Sequence, residues 1–274
     1  MHLRVLGCCR DVFLENKGVS GMSMVYVIGA AKGGTAKTVT TYNLAYSLAE
    51  LGKRVLCVDL DPQGNLTTCF GVDDLSGIEL TIGELMVSEL EDDEPMECAG
   101  CIWERNGVDF IPASMRLSAV ESQLRVEMGA ERILDSVLSR IKDNYDFVLI
   151  DTSPAMGSLV VNALAAADSV IVTANPQLLA MKGLQEFLKT VSKIRKRINE
   201  KLSVEGILPT MCERRTNLYR TISEEVRETF KGTIKVFESV IPNTVKVLPY
   251  QRNWQRKRKG WRQQKRIWKQ PRRK

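Results

Sequence analysis

Histidine is almost missing from this chain: His2 is the single one among 274 residues. No internal imidazole is left for a catalytic triad, a histidine-based zinc site or a proton shuttle. Long apolar runs are missing as well. The best stretch, Pro154 to Ala174, is interrupted by Asn162 and Asp168, short of the roughly 18 apolar residues that a membrane span needs. The amino-terminal stretch carries Arg10, Asp11, Glu15 and Lys17 where a secretory signal would have an apolar core. Seven cysteines, an odd number scattered along the chain, suit reduced thiols better than a disulfide framework. Acidic residues are absent from Gln251 to Lys274, a segment with 12 basic ones. A cytoplasmic protein is expected, and a membrane partner is not.

What is present points to a folded core. Hydrophobic residues make up 44% and charged residues 26%, ordinary values for a globular protein. The net charge of +6 is uneven, because outside the basic tail 27 Lys and Arg face 33 Asp and Glu. An acidic body therefore carries a basic tail. Apolar, β-branched runs predict strands at Met24–Ala30, Arg54–Val58, Val108–Pro112, Phe147–Ile150, Ser169–Ala174, Ile207–Met211 and Val236–Ile241. Helical patterns lie between them at Thr38–Leu51, closed by Gly52, and at Glu131–Ile141 and Leu184–Ile198. Alternation of this kind predicts an α/β fold: a mostly parallel, doubly wound sheet with helices on both faces.

The most informative segment is Val25-Tyr26-Val27-Ile28-Gly29-Ala30-Ala31-Lys32-Gly33-Gly34-Thr35-Ala36-Lys37-Thr38. It lies between a predicted strand and a predicted helix, where a phosphate-binding loop belongs. Gly33 and Gly34 let the backbone approach phosphate oxygens, and successive N–H groups can form an anion nest. Lys37 would reach the β- and γ-phosphates, and the Thr38 hydroxyl would ligate Mg²⁺. The strict pattern has glycine immediately before that lysine, and Ala36 stands there instead, narrowing the accessible φ range. Two acidic strand ends accompany the loop: Asp59-Leu60-Asp61-Pro62-Gln63-Gly64-Asn65 and Asp151-Thr152-Ser153-Pro154. Ligands of such sheets bind at the carboxyl ends of strands, so these carboxylates should converge on the loop. One could hold the Mg²⁺ hydration shell and another orient an attacking water, whereas a purely structural reading makes Asp59 or Asp151 a cap of the following segment.

With Lys32-Gly33-Gly34-Thr35-Ala36-Lys37-Thr38, the two acidic motifs, and Thr210-Met211 leading into Arg215-Thr216-Asn217-Leu218, the chain resembles the ParA/Soj family of deviant Walker-A ATPases, within the wider group containing MinD. The resemblance spans about Met24 to Val247 and implies a P-loop NTPase domain over 24–247 that uses ATP and Mg²⁺. It implies an ATPase that forms a homodimer on binding ATP, binds DNA nonspecifically and partitions plasmids or chromosomes. Slow hydrolysis stimulated by a ParB-like centromere-binding protein would reset it, and the ATP-bound form would be nucleoid-associated. Carried over by position, Lys32 reaches the partner subunit's nucleotide, and Gly33 lies where the subunits approach closely. Gly34, Thr35, Ala36, Lys37, Thr38 and Val39 complete the ATP loop, with Pro242 and Asn243 bordering the adenine. Lys32, Lys37 and Asp61 are the expected catalytic residues, Thr38, Asp59, Asp61 and Asp151 surround the metal, and Arg215 and Lys246 bind DNA. The alternatives are a MinD-like membrane positioner and a hydrolysis-deficient binding protein.

Both ends depart from this pattern. Residues 1–23 lack periodicity and are expected to be a disordered or mis-started leader. After Val247 the family's acidic-Ala-Pro/Ser motif and terminal amphipathic helix are replaced by the basic tail 248–274. Trp254, Trp261 and Trp268 recur there every seven residues, which suits a membrane surface or stacking on nucleic acid. A disordered polybasic DNA contact and a frameshifted translation of the lost helix are the other readings. Cys98 and Cys101 form an isolated CxxC with no further zinc ligands near it in sequence, so surface-loop thiols are expected.

Overall fold

The computed structural model describes residues 23–91, 94–175, 180–213 and 217–243. Residues 1–22 of the expected leader, the tail 248–274, Arg215 and Lys246 lie outside these. The strands are β1 (Met24–Gly29), β2 (Val55–Leu60), β3 (Trp103–Arg105), β4 (Val108–Ile111), β5 (Phe147–Thr152), β6 (Ser169–Ala174) and β7 (Ser203–Pro209). The helices are α1 (Lys37–Glu50), α2 (Asn65–Cys69), α3 (Ile82–Glu91), α4 (Leu117–Leu124), α5 (Ile133–Ser139), α6 (Ser158–Ala166), α7 (Ala180–Arg197) and α8 (Asn217–Phe230). The sheet runs β3-β4-β2-β5-β1-β6-β7, parallel except for β3 against β4. The expected doubly wound α/β sheet is present.

Alternation along the central strands feeds two cores, one per face. Tyr26, Ile28, Cys57 and Leu149 pack with Tyr42, Leu44, Ala45 and Leu48 of α1. Val25, Val27, Leu56, Val58, Val148 and Ile150 face the opposite way, under residues from α3 to α8. Central strands buried on both faces read as continuous apolar runs because each residue meets helices on one side or the other. Each such side chain contributes about 1.5–3 kcal/mol through burial. Helix α1 ends at Gly52, φ +78°, where Gly52 N–H donates to the Ala49 carbonyl and Lys53 N–H to the Leu48 carbonyl at 3.1 Å. That pair of bonds is a Schellman cap, and the positive φ is why glycine is there. Among the described residues, no helix is long and apolar enough to cross a membrane.

The segment Val236–Ile241 is not a seventh parallel strand. It runs along β7 without forming a strand: an isolated bridge joins Ile207 to Val236, Ile241 N–H donates to the Pro209 carbonyl, and a second bridge just beyond joins Cys212 to Pro242. Phe237, fully buried, presses against Gly206 of β7, where any β-carbon would sit 2.9 Å from the Lys235 carbonyl oxygen and the Phe237 ring. The apolar residues are thus used for one deep contact, with Phe237 N–H donating to the Ile207 carbonyl at 3.0 Å.

Candidate functional site

The loop between β1 and α1 starts on the buried Ala30 and the core-packed Ala31, and threonines fix it further along. Thr35 Oγ1 lies 3.0 Å from Thr173 Oγ1 at the end of β6. The Thr210 hydroxyl, just past β7, donates to the Thr35 carbonyl at 2.8 Å. Two neighbouring strand ends therefore fix the loop from below. Gly34 turns it at φ +72°, and Ala36 follows at φ +58°, in the left-handed region. An alanine there carries about 1–2 kcal/mol of backbone strain, so the departure from glycine at this position has a definite conformational cost. Ala36 is also the N-cap of α1 and makes no side-chain cap bond. The first N–H groups of the helix are accordingly left to a loop-bound anion.

Below the loop, the strand register brings the acids together. Asp59 on β2 is directly paired with Asp151 on β5, and Asp151 lies beside Ile28 of β1. Both carboxyls are essentially buried, at 1% and 0% exposure. Thr38 Oγ1 donates to Asp151 Oδ2 at 2.7 Å, and Thr41 Oγ1 to Asp151 Oδ1 at 3.3 Å. Asp59 Oδ2 accepts both the backbone N–H and the hydroxyl of Thr67, each at 2.7 Å. Burial pushes Asp59 up to about 6, opposed by the Thr67 bonds. Burial also raises Asp151 well above the usual carboxylate range, and the Asp59 charge adds to that rise. Lys37, 7% exposed, is lowered by burial, while Asp151 and Asp61 act in the opposite direction. Asp61 accepts the Gln63 N–H at 3.0 Å and donates its own N–H to Asp59.

Of the residues expected to act together, the buried Lys37, Asp59, Asp61 and Asp151 and the half-buried Thr38 form this one cluster. Lys32 and Gly33 lie on the exposed crown of the loop. A β-carbon on Gly33 would meet only Pro154, at 3.7 Å. Val39 is half-buried on α1. Pro242 and Asn243 lie beside the strand end that carries Thr210: Asn243 N–H donates to the Cys212 carbonyl, and its side chain to Glu213 Oε1 at 3.0 Å. Arg215 and Lys246 fall outside the described residues. Thr41, Thr67 and Thr210 were not picked out as site residues from the sequence. The adjacent pair Thr40-Thr41, one turn after Thr38, was the available signal for Thr41.

The expectation for the CxxC is corrected. Cys98 and Cys101 sit in a 3₁₀ turn, 5% and 0% exposed, within the core on the α3–α8 face. The Cys98 thiol faces the Val137 carbonyl of α5 at 3.8 Å. They pack as small apolar groups and are not surface thiols. Among the described residues, no three His, Cys, Asp or Glu side chains gather as a metal-binding group.

The donor set fits a phosphate with a divalent cation: exposed loop amides, a buried lysine, a threonine hydroxyl and two carboxyls crowded by like charge. A family model described as an AAA domain matches residues 23–204. The sporulation initiation inhibitor protein Soj of Bacillus subtilis is 37% identical over 226 residues, covering 82% of this chain and 87% of Soj. The chromosome partitioning protein ParA of Caulobacter vibrioides is 36% identical over 225 residues, covering 81% of this chain and 82% of that protein. Cobyrinic acid a,c-diamide synthase from Mycobacterium smegmatis, solved with bound ADP and magnesium, shares the fold with a TM-score of 0.74 at 30% identity, over 87% of this chain and 96% of that one.

Proposed function

The chain belongs to the ParA/Soj family of P-loop ATPases, and on that premise we propose that it is an ATP- and Mg²⁺-dependent switch that dimerises when loaded, binds duplex DNA without sequence preference and partitions a plasmid or chromosome. A ParB-like partner, by stimulating slow hydrolysis, returns it to the monomer. The unit that does this is residues 24–247, with the leader and the basic tail appended.

The carrying observation is the Asp59–Asp151 pair in register beneath the loop, with Thr38 donating to Asp151. A hydroxyl that donates to Asp151 turns its lone pairs away from that carboxylate, as a metal ligand must. Bound Mg²⁺ would neutralise charge on the phosphates and polarise the terminal one. Thr38 would hold the metal directly, with Asp59 and Asp151 accepting from its hydration shell. The amides of Gly33, Gly34, Thr35, Ala36, Lys37 and Thr38 would cradle phosphate oxygens, with Val39 continuing the helix below them. Lys37, held beside Asp151 and Asp61, is aimed by those acids and would pair with the β- and γ-phosphates. Asp61 would orient the attacking water. Lys32, on the exposed crown, would act across a dimer, so that phosphate charge and assembly become one switch. Pro242 and Asn243 would border the base, and Arg215 and Lys246 would contact DNA.

The test is binding to a nonspecific duplex with ATP, ADP or no nucleotide, for the full chain and for Lys37→Ala. The expected result is binding at least about tenfold tighter with ATP, a gain that Lys37→Ala abolishes. Equal affinity in all three states would overturn the switch.

A further inference from the structure

The carboxyl-terminal half of α7 carries a concentration of charge that the proposed site does not use. Lys189, Lys193, Arg195, Lys196 and Arg197 are all exposed, and Lys201 follows in the turn before β7. None of these six has an ion-pair partner among the described residues. Between Lys189 and Lys201 the one acid is Glu200. Cations in the last turn of a helix complement its dipole. That accounts for Arg195 to Arg197, but not for Lys189 and Lys193 further up or Lys201 beyond the end.

The surface lies at the opposite end of the strands from the phosphate loop. The Asn199 side chain donates to the Leu164 and Ala167 carbonyls at 3.0 and 2.7 Å, and Ser203 N–H to the Asp168 carbonyl. Those bonds tie the end of α7 to the amino-terminal ends of β6 and β7. The loop lies beyond the carboxyl end of β1, which runs parallel to β6.

We infer that this end of α7 is a second contact surface for the phosphate backbone of duplex DNA, one that works whether or not nucleotide is bound. About 12 Å of helix separates Lys189 from Arg197, a length over which duplex DNA carries roughly seven negative charges. Of the apolar residues of α7, Leu184, Phe187, Val191 and Ile194 are buried in the core, and Met181 and Leu188 pack against it. No apolar face remains for insertion into lipid, and no exposed ring for stacking unpaired bases. Cations without wedges or rings suit a duplex backbone read by charge alone. The partner is that of the proposed function, but no nucleotide-dependent step is involved.

The experiment measures affinity of the full chain for a nonspecific duplex over a salt series, with ATP and without nucleotide. The variants are Lys193→Glu/Lys196→Glu/Arg197→Glu and the corresponding triple change to Gln, which keeps helix propensity. The expected result is a salt slope smaller by about 2.7, near 0.9 for each contact removed, in both nucleotide states. The ratio of affinities with and without ATP, the basal ATP turnover and the melting temperature of the Gln variant stay as in the wild type. Lys53→Glu, exposed in the turn between β2 and the helix α1 that covers the other face of the sheet, three strands from β6, leaves the slope unchanged. An unaltered slope in both triple variants overturns the inference, as does a loss confined to the ATP state. It is also overturned by an equal loss in Lys53→Glu, or by variants that lose only binding to phosphatidylglycerol vesicles. If the ATP-dependent gain is absent while the slope still falls, the surface stands and the switch does not.

Discussion

At Asp151 and Asp59 the residue chemistry has a pH consequence. Both carboxyls hold their protons more tightly in the folded protein than in the unfolded chain, where the value is about 3.9. The folded state therefore binds more protons between about pH 4 and the raised folded values, and stability must fall as pH rises through that window. The contribution is fully present below pH 4. It is lost as pH passes about 6 for Asp59 and then the higher value for Asp151. The nucleotide-free protein is expected to lose on the order of 2–3 kcal/mol through Asp59 alone between pH 4 and pH 8. Urea unfolding at pH 5 and pH 8 would show it as a lower midpoint at pH 8. Asp151→Asn removes one of the two like charges and should flatten that dependence, raising the midpoint at pH 8. A wild-type midpoint that rises from pH 5 to pH 8 would mean that the two acids are not crowded as the register places them.

At the scale of the element, the turn Cys98–Cys101 shows how a motif can mislead. Two thiols close in sequence suggest chemistry, but their burial in the core, in a turn packed on α3 with Cys98 against α5, makes them packing groups. Burial pushes Cys101 up to about 12 and raises Cys98 as well, so neither is a ready nucleophile at neutral pH. Cys101→Ser places a hydroxyl in an apolar site and should cost about 1–3 kcal/mol in urea unfolding. Thiol labelling of the native protein should leave both cysteines unmodified until it unfolds. Fast labelling would return them to the surface. The sheet was legible where strands are buried on both faces, because β1, β5 and β6 are short apolar runs that end in turn or acidic residues. Edge strand β3 was not, since Trp103, Glu104 and Arg105 lack such a run. Its signal was the hairpin turn Asn106-Gly107, with φ of +53° and +80°. Helix α8 also went unread, although Ile222, Val226 and Phe230 repeat every four residues and are all buried. The acidic cluster was legible because its members sit at or just past strand ends, whereas Thr67 reaches Asp59, and Thr210 reaches the loop at Thr35, from separate segments. Only tertiary structure brings those together.

For the whole molecule, the decisive question is whether the exposed crown of the loop works within one chain or between two. Gly33 separates these. Its φ lies outside the left-handed region that favours glycine, and a β-carbon there meets nothing closer than Pro154 at 3.7 Å. Packing within a single nucleotide-free chain gives no reason for glycine at this position, and valine keeps the amide, so a side chain should be tolerated by the monomer. Stability of Gly33→Val is expected to stay within about 0.5 kcal/mol of the wild type, as for other surface changes. Lys37, Thr38 and Asp151 lie below the crown, so nucleotide binding should be retained. If two loops approach each other across a dimer, however, the isopropyl group occupies space that the partner's backbone needs, and closely packed interfaces do not absorb such a volume cheaply. Sedimentation with ATP and Mg²⁺ should therefore show a wild-type dimer and a Gly33→Val monomer, with nucleotide affinity measured in parallel. A variant that still dimerises would remove the crown from the interface and with it the reason for placing Lys32 against the partner's phosphates. A variant that loses nucleotide binding as well would show instead that Gly33 serves the loop of its own chain.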